Sequence, residues 1–349
     1  MGGTLELGVE TFGDITAGAD GTPESDAQVL RDVVEQGVLA DQAGLDFFGV
    51  GEHHRPDYAV SAPEVVLGAI ASRTSAIKLG SAVTVLSSDD PVRVFQRFAT
   101  VDGISGGRAE LILGRGSFIE SFPLFGYELS DYEVLFEEKL ALMAKLLRPG
   151  PTTWSGSTRS ALHAQEVYPR TEHGMRAWVG VGGSPESVVR AARHSLPLML
   201  AIIGGDPLAF KPFVKLYGRT LEEFGHAAQP VGAHLHGFVA ASDEEAKEAL
   251  WPHYRAQMDK LGRERGWPAY SRGRFEAAAS PEGNLVVGGP ETVARKIADI
   301  ASGLGVQRLD LKLSAGTLPH SAIMGSIELL GTRVKPLVDE LLAERATAE

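Results

Sequence analysis

The chain has 349 residues, of which 44% are hydrophobic and 22% charged, a balance typical of a globular protein with an ample core. Its 45 acidic residues against 33 lysines and arginines give a formal net charge of −12, which argues against a nucleic-acid-binding or anionic-membrane-binding surface. It has no cysteines, which excludes disulfides, thiolate metal sites and a cysteine nucleophile.

The N-terminal segment MGGTLELGVE has neither the basic region nor the apolar stretch of a secretion signal. The longest apolar candidate, LPLMLAII at residues 196–203, has the length of a strand, whereas a membrane span needs roughly 18 apolar residues. These features predict a cytoplasmic protein with no membrane segment.

Strand-like apolar runs alternate with amphipathic helical windows through the first half of the chain. Four strands are predicted, at residues 5–12, 47–51, 77–87 and 109–116. The helices that follow them are predicted to begin at Ser25, Ser61, Asp90 and Ser130. Three of these residues open a capping box, and Asp90 stands before a proline that suits the first helical position.

The same alternation continues in the second half. Four more strands are predicted, at residues 176–183, 196–203, 230–240 and 307–314. Helices are predicted to begin at Ser184, Ser242 and Pro290, and a last helix at residues 321–344. Two irregular segments, near 149–170 and 262–289, interrupt the period, and we interpret them as insertions, the first as a hairpin.

Repeated strand and helix units over about 350 residues are the signature of an α/β fold of the (β/α)8 TIM-barrel type. We therefore predict a single barrel domain over residues 1–349 with these two insertions. A doubly wound open sheet with an appended domain is the alternative. It is weaker, because the alternation continues nearly to the end of the chain.

The stretch FGVGEHHRPDY places Glu52, His53 and His54 directly after the second predicted strand. In parallel α/β folds the active site lies at the carboxyl ends of the strands. These residues are therefore candidates for acid and base chemistry. The alternative is a solvated loop whose histidines bond to backbone groups.

A candidate anion site follows the fourth and fifth predicted strands. The stretch GVGGSPES supplies Gly182 and Gly183 for close backbone approach and Ser184 and Ser187 as hydroxyl donors at a helix start. Arg115 adds a fork-shaped cation. Taken singly, Ser184 is explained as a helix cap and Arg115 as a surface ion pair; together at one barrel mouth they favour a phosphate.

Other motifs argue against alternative enzyme classes. The sequence has no GxxxxGK[ST] phosphate loop. His234 and His236 alternate along the seventh strand and, with His53 and His54, suggest a metal site. That interpretation is weak, because the first strand adds only Glu10 as a ligand, and we expect no metal.

Three blocks of sequence resemble the bacterial luciferase-like flavin-dependent monooxygenase family. They are GVGEHH, the segment from Lys78 to Gly116, and GTLPHSAIMGSIELLGTRVKP near the C-terminus. The resemblance implies a (β/α)8 barrel that uses FMN in its reduced form, commonly delivered by a separate flavin reductase, and that forms a homodimer. A related branch of the family uses a deazaflavin coenzyme.

Carried over residue by residue, the resemblance makes His53 the catalytic imidazole, with His54 beside it and Glu52 orienting one of them. Ala82 and Val83 match the position where the family often has a non-prolyl cis peptide bond beneath the flavin ring.

The resemblance also assigns Arg115, Gly183, Ser184 and Ser187 to the flavin phosphate, in agreement with the anion site above. Gly114 stands where the luciferase itself has a reactive cysteine. Light emission is therefore not implied.

These observations together predict an oxidoreductase that uses reduced FMN and oxygen on a small organic substrate. A deazaflavin-dependent dehydrogenase on the same barrel is the alternative, and a flavoprotein that only binds flavin ranks behind both. The apolar side chains of Phe118, Phe122 and Leu124 suggest a hydrophobic substrate cavity.

Overall fold

The computed structural model describes residues 4–18, 20–116 and 118–348. The strands are β1 (Glu6–Thr11), β2 (Phe47–Val50), β3 (Lys78–Ser81), β4 (Thr84–Val85), β5 (Ala109–Gly114), β6 (Thr152–Trp154), β7 (Leu162–Gln165), β8 (Arg176–Val181), β9 (Leu198–Ala201), β10 (Val231–Val239), β11 (Val286–Gly288) and β12 (Arg308–Lys312). The α-helices are α1 (Asp26–Gln42), α2 (Pro63–Ala71), α3 (Pro91–Ser105), α4 (Ser121–Leu124), α5 (Tyr132–Leu146), α6 (Pro185–Arg193), α7 (Lys211–Glu223), α8 (Asp243–Arg265), α9 (Arg272–Ala279), α10 (Pro290–Leu304), α11 (His320–Leu329) and α12 (Lys335–Ala348).

Eight parallel strands close into a barrel. They run in the order β10, β12, β1, β2, β3, β5, β8 and β9, and β9 pairs with β10 to complete the ring. The short strand β4 continues the line of β3 and pairs with β5, and β11 extends the sheet outside the ring by pairing with β10. The predicted (β/α)8 barrel is confirmed.

Side-chain caps fix most helix starts where the sequence predicts them. Ser25 caps α1, Asp90 caps α3, Ser184 caps α6 and Ser242 caps α8, each by accepting a backbone N–H of the first turn. The predicted cap at Ser61 is wrong, because α2 begins at Pro63 after Ala62 with no side-chain cap. The predicted start at Ser130 is also wrong, since a 3₁₀ turn over Leu129–Asp131 precedes α5.

The two irregular segments both contain regular structure. Strands β6 and β7 form an antiparallel hairpin within the first. The second contains α9 and β11, although its sequence shows no regular period. The single-domain description of residues 1–349 stays a prediction. In the described parts of the chain, no helix is both long and apolar enough to cross a membrane.

A buried ionic layer fills the barrel at the amino ends of the strands. Arg308, which is 0% exposed, donates to Glu110 Oε2 at 2.6 Å and to Glu6 Oε2 at 2.8 Å. Trp178 Nε1 donates to the same Glu110 oxygen at 2.9 Å. Above this layer pack the apolar side chains of Phe47, Ala82, Ile112, Trp178 and Met199. The barrel interior is thus filled up to the level at which a cavity begins.

Candidate active site

A cavity of about 320 Å3 lies at the carboxyl ends of the barrel strands. This is the face where barrel enzymes carry their active sites. Seven of the residues predicted for the site line it: Glu52, His53, Ala82, Val83, Arg115, Gly182 and Ser187. His54, Gly183 and Ser184 lie beside it, outside its lining.

His53 forms part of an aromatic wall. Its ring centroid lies 4.4 Å from that of Tyr58, 4.9 Å from Phe12 and 5.2 Å from Phe118. Burial lowers the pKa of His53 to about 4, an effect that the Asp14 carboxylate opposes and the neighbouring cations reinforce. The imidazole is therefore neutral at pH 7, where it can donate or accept a hydrogen bond but is a weak base.

Glu52 and His54 form a second, separate unit. Glu52 Oε2 accepts the backbone N–H of Val85 at 2.9 Å, and Oε1 lies 3.0 Å from His54 Nε2. His54 faces a smaller neighbouring cavity of about 150 Å3, with its ring edge against Phe125 at 5.0 Å. Glu52 thus ties the loop after β2 to β4, and it orients His54 rather than His53.

One wall of the cavity follows the break between β3 and β4. The peptide bond between Ala82 and Val83 is cis, as the family resemblance implies. A side chain on Gly114 would lie only 2.6 Å from the Val83 side chain, and one on Gly180 would lie 3.4 Å from it. The glycines therefore let the backbones of β5 and β8 approach Val83 closely.

Polar groups gather at the other end of the cavity, around the N-terminus of α6. Ser184 caps this helix by accepting the backbone N–H of Ser187 at 3.3 Å. Gly183 has a φ of +115°, in the region that favours glycine. A Cβ added to Gly182 or Gly183 would meet no atom within 4 Å. The space beside both glycines is therefore open to a ligand.

Two arginines flank this helix terminus. Arg115 pairs with Glu133, and its guanidinium lies 5.1 Å from the centre of the Tyr132 ring. Arg190 was missed by the sequence analysis; it lies 3.1 Å from Glu133 and 3.4 Å from the Ser187 hydroxyl. Its position three residues after Ser187 on the same helix face was the available signal.

Most of the cavity floor and rim lies outside the predicted site. The further lining residues include Phe12, Tyr132, Met199 and Ile203, together with Glu10, His234 and His236, which the sequence suggested only as a weak metal site. His234 Nδ1 is in ion-pair contact with Glu10 Oε2. Burial lowers the pKa of His236 to about 3, so this imidazole is neutral. In residues 4–18, 20–116 and 118–348, no group of three or more His, Asp or Glu side chains is placed to hold a metal ion.

The apolar loop residues predicted to form a substrate cavity separate in the structure. Phe118 packs on His53, Phe122 is 1% exposed and Leu124 is 61% exposed. The apolar lining comes instead from strand residues such as Ile112 and Met199.

Comparison with known proteins gives a consistent result. The family model described as luciferase-like monooxygenase matches residues 8–308. Among curated relatives, the alkanal monooxygenase alpha chain of Photorhabdus luminescens is 25% identical over 64% of this chain and 62% of its own. The N-acetyl-S-alkylcysteine monooxygenase of Bacillus subtilis is 28% identical over 66% of this chain and 68% of its own.

Solved structures share the fold at low sequence identity. One is the oxygenating constituent of 3,6-diketocamphane monooxygenase from Pseudomonas putida, a type II Baeyer-Villiger monooxygenase in complex with FMN. It has a TM-score of 0.75 at 19% identity and covers 96% of this chain and 99% of its own. Another is the coenzyme F420 dependent tetrahydromethanopterin reductase from Methanopyrus kandleri. Its TM-score is 0.71 at 20% identity, with 96% of this chain and 99% of its own covered.

The family match spans well over half of the chain, and the barrel and the position of its cavity agree with it. The chain therefore belongs to the luciferase-like monooxygenase family.

Proposed function

We propose that this protein is an FMN-dependent monooxygenase that uses reduced flavin and oxygen on a small organic substrate. One observation carries the proposal: a single cavity joins an apolar barrel mouth to a cationic helix N-terminus. Its volume of about 320 Å3 lies within the range of small-molecule sites. When bound, reduced FMN supplies the electrons that activate oxygen.

The residues present fit this cofactor. Val83, Ile112 and Met199 offer apolar surface for a planar ring system. Arg115, Ser187 and the open backbone at Gly182 offer charge and hydrogen-bond donors for a phosphate. Gly183 and Ser184 support this end by shaping the turn and capping α6.

The first test is an anaerobic titration of the protein with reduced FMN, followed by admission of air. We expect saturable binding, and release of less hydrogen peroxide once a substrate is present. Arg115→Gln is expected to weaken binding by about tenfold to a hundredfold, because a charge-assisted hydrogen bond contributes about 1.5–3 kcal/mol. Arg219→Gln, on the exposed face of α7, is the matched control. Absence of saturable binding would refute the proposal.

His53 is proposed to act in turnover, as a neutral hydrogen-bonding group in contact with the bound molecules. His53→Ala is expected to lower turnover while leaving flavin affinity nearly intact. Loss of both to the same degree would contradict that role. Glu52 and His54 are proposed to support the site by holding the loop after β2 in place.

A deazaflavin-dependent dehydrogenase is the second candidate, because the F420-dependent reductase shares this fold over nearly the whole chain. Such an enzyme transfers a hydride and needs no oxygen. Saturable binding of F420 without binding of FMN, together with substrate oxidation under anaerobic conditions, would replace the first proposal by this one.

We further propose a homodimer, a separate flavin reductase that supplies the reduced cofactor, and a cytoplasmic location, all suggested by the family resemblance or the composition. Light scattering coupled to size-exclusion chromatography tests the dimer. A peak at the mass of one chain would contradict it.

A further inference from the structure

A carboxylate and an imidazole meet in the floor of the cavity. Glu10 lies on β1 and His234 on β10, and both line the cavity although they are only 3% and 7% exposed. His234 Nδ1 is in ion-pair contact with Glu10 Oε2. Strand β12 lies between their two strands and pairs with both. The two side chains therefore meet across one intervening strand on the inner face of the barrel.

The imidazole of His234 is held by the rings around it. It stacks on Phe12, with 6.2 Å between ring centroids and an interplanar angle of 12°. The ring of His236 lies edge-on to it, with 6.1 Å between centroids and an angle of 88°. Within the described parts of the chain, we find no hydrogen bond to Nε2 of His234. Contact of Nδ1 with a carboxylate leaves Nε2 as the nitrogen that can meet a ligand.

The acidic and basic groups of β12 next to the pair are neutral or already engaged. Asp310 is the register partner of His234, and burial raises the pKa of its carboxyl well above the usual range, which favours the neutral form. The Lys312 ammonium donates to both Asp14 carboxylate oxygens at 3.1 and 3.0 Å.

The remaining charged groups near the pair are accounted for in the same way. His236 and His53 are neutral at pH 7 for the reasons given above. Arg308, in the layer below, is held by Glu6 and Glu110. Among the described residues, the ion-pair contact of the Glu10 carboxylate is with His234.

We propose that His234 is a catalytic base of this site and that Glu10 is the residue that positions it. The inference rests on the proposed monooxygenase function. A proton moves from the substrate to Nε2, and the electron pair of the broken bond stays on the substrate. The imidazolium that forms is stabilised by the Glu10 carboxylate at Nδ1, as in other buried carboxylate–histidine pairs.

This assignment narrows the substrate class. The substrate carries a weakly acidic O–H or C–H group, which becomes electron-rich once the proton has left. A neutral His53 in the wall of the same cavity contributes contact and hydrogen bonding instead of proton removal.

The test is an NMR titration of the histidine C–H resonances in the full-length protein. His234 is assigned by the loss of its signals in His234→Asn. In Glu10→Gln we expect these signals to move, because the carboxylate in contact with Nδ1 is replaced by a neutral amide. Glu10→Asp keeps the carboxylate and should restore most of the wild-type signal positions. Glu244→Gln, at an exposed position of α8, should change nothing.

Turnover separates a catalytic base from a merely structural pair. With a substrate that carries an acidic proton, His234→Asn is expected to lower kcat by about 10²-fold or more, with a much smaller change in KM. Glu10→Gln should move the acidic limb of the kcat pH profile, and Glu10→Asp should restore it.

Two results would overturn the inference: His234 resonances that are insensitive to Glu10→Gln, or a kcat that His234→Asn leaves unchanged. Reduced-FMN binding, measured first on every variant, tells the two proposals apart. Failure of the wild-type protein to bind reduced FMN refutes the proposed function. Intact binding with an insensitive His234 refutes only this inference.

Discussion

The buried pair of Asp14 and Lys312 gives the sharpest prediction about stability. Both side chains are 1% exposed. The Asp14 carboxylate accepts from Lys312, from the Ser314 hydroxyl at 2.6 Å, from the Gly316 backbone N–H at 3.0 Å and from Gln257 Nε2 at 3.0 Å. One carboxylate therefore joins the loop after β1, the end of β12 and helix α8.

We expect Asp14→Asn to destabilise the protein by about 3–5 kcal/mol, the cost of leaving one partner of a buried ion pair uncompensated. The partner left uncompensated is the Lys312 ammonium, whose pKa is already lowered by burial. Lys312→Met should cost a similar amount. The double variant should cost much less than the sum, because it removes both buried charges together.

Urea unfolding at pH 7, followed by circular dichroism, measures these free energies. Asp299→Asn, which breaks an exposed pair with Arg345, is the matched control and should cost less than about 1 kcal/mol. The reasoning would be refuted if the free-energy changes of the two single variants add up to that of the double variant, or if Asp14→Asn costs no more than the control.

Three further predictions concern the cavity and its surroundings. Gly182→Val should weaken reduced-FMN binding at least about tenfold, because the valine side chain enters the open space of the cavity. The melting temperature should change little. Gly218→Val on α7, where a Cβ also meets no atom, is the control and should leave binding intact. Burial lowers the pKa of His53 from 6.5 to about 4, so between pH 4 and pH 6.5 the unfolded chain binds more protons than the folded one. The free energy of unfolding should therefore rise with pH over that window by up to about 3 kcal/mol. Urea unfolding at pH 5 and pH 7 checks this slope, and an equal slope in His53→Asn would contradict the assignment. Arg55 forms ion pairs with Glu120 and Glu264 and lies 4.4 Å from the centre of the Phe118 ring. Arg55→Gln should therefore speed proteolysis of the loop after β5. An unchanged cleavage rate would show that these contacts do not hold the loop.

The barrel was predictable because strand and helix periods differ and the caps are local. Ser25, Asp90, Ser184 and Ser242 each bond to a backbone N–H two or three residues ahead, so a short window of sequence contains the whole interaction. The predicted cap at Ser61 was wrong because Pro63 fixes the start of α2 without a side-chain cap. Residues 262–289 were read as irregular because α9 spans only eight residues and β11 three, too few to display a period.

The loop part of the site was predictable for a similar reason, since residues that follow parallel strands share one face of the barrel. The cavity floor was harder. Glu10 and His234 stand within strands, and their residue types suggested only a weak metal site together with His53 and His54. Their alternation with neighbouring residues indicates one face of a strand, but their contact depends on the stagger of strands around a closed ring. No short sequence pattern predicts which residues of two different strands come into contact in this way.

In the proposed function, a phosphate displaces a protein carboxylate at the cationic end of the cavity, and the displacement costs little. Arg115 is paired with Glu133, whose side chain is 64% exposed, and such exposed pairs contribute only about 0–1 kcal/mol. Arg190 is 10% exposed and lies against both Glu133 and Ser187. A phosphate at the start of α6 can therefore replace Glu133 without leaving a buried charge unpaired. Arg190 also pairs with Glu137, so in the proposed site this arginine keeps a carboxylate partner when Glu133 is displaced.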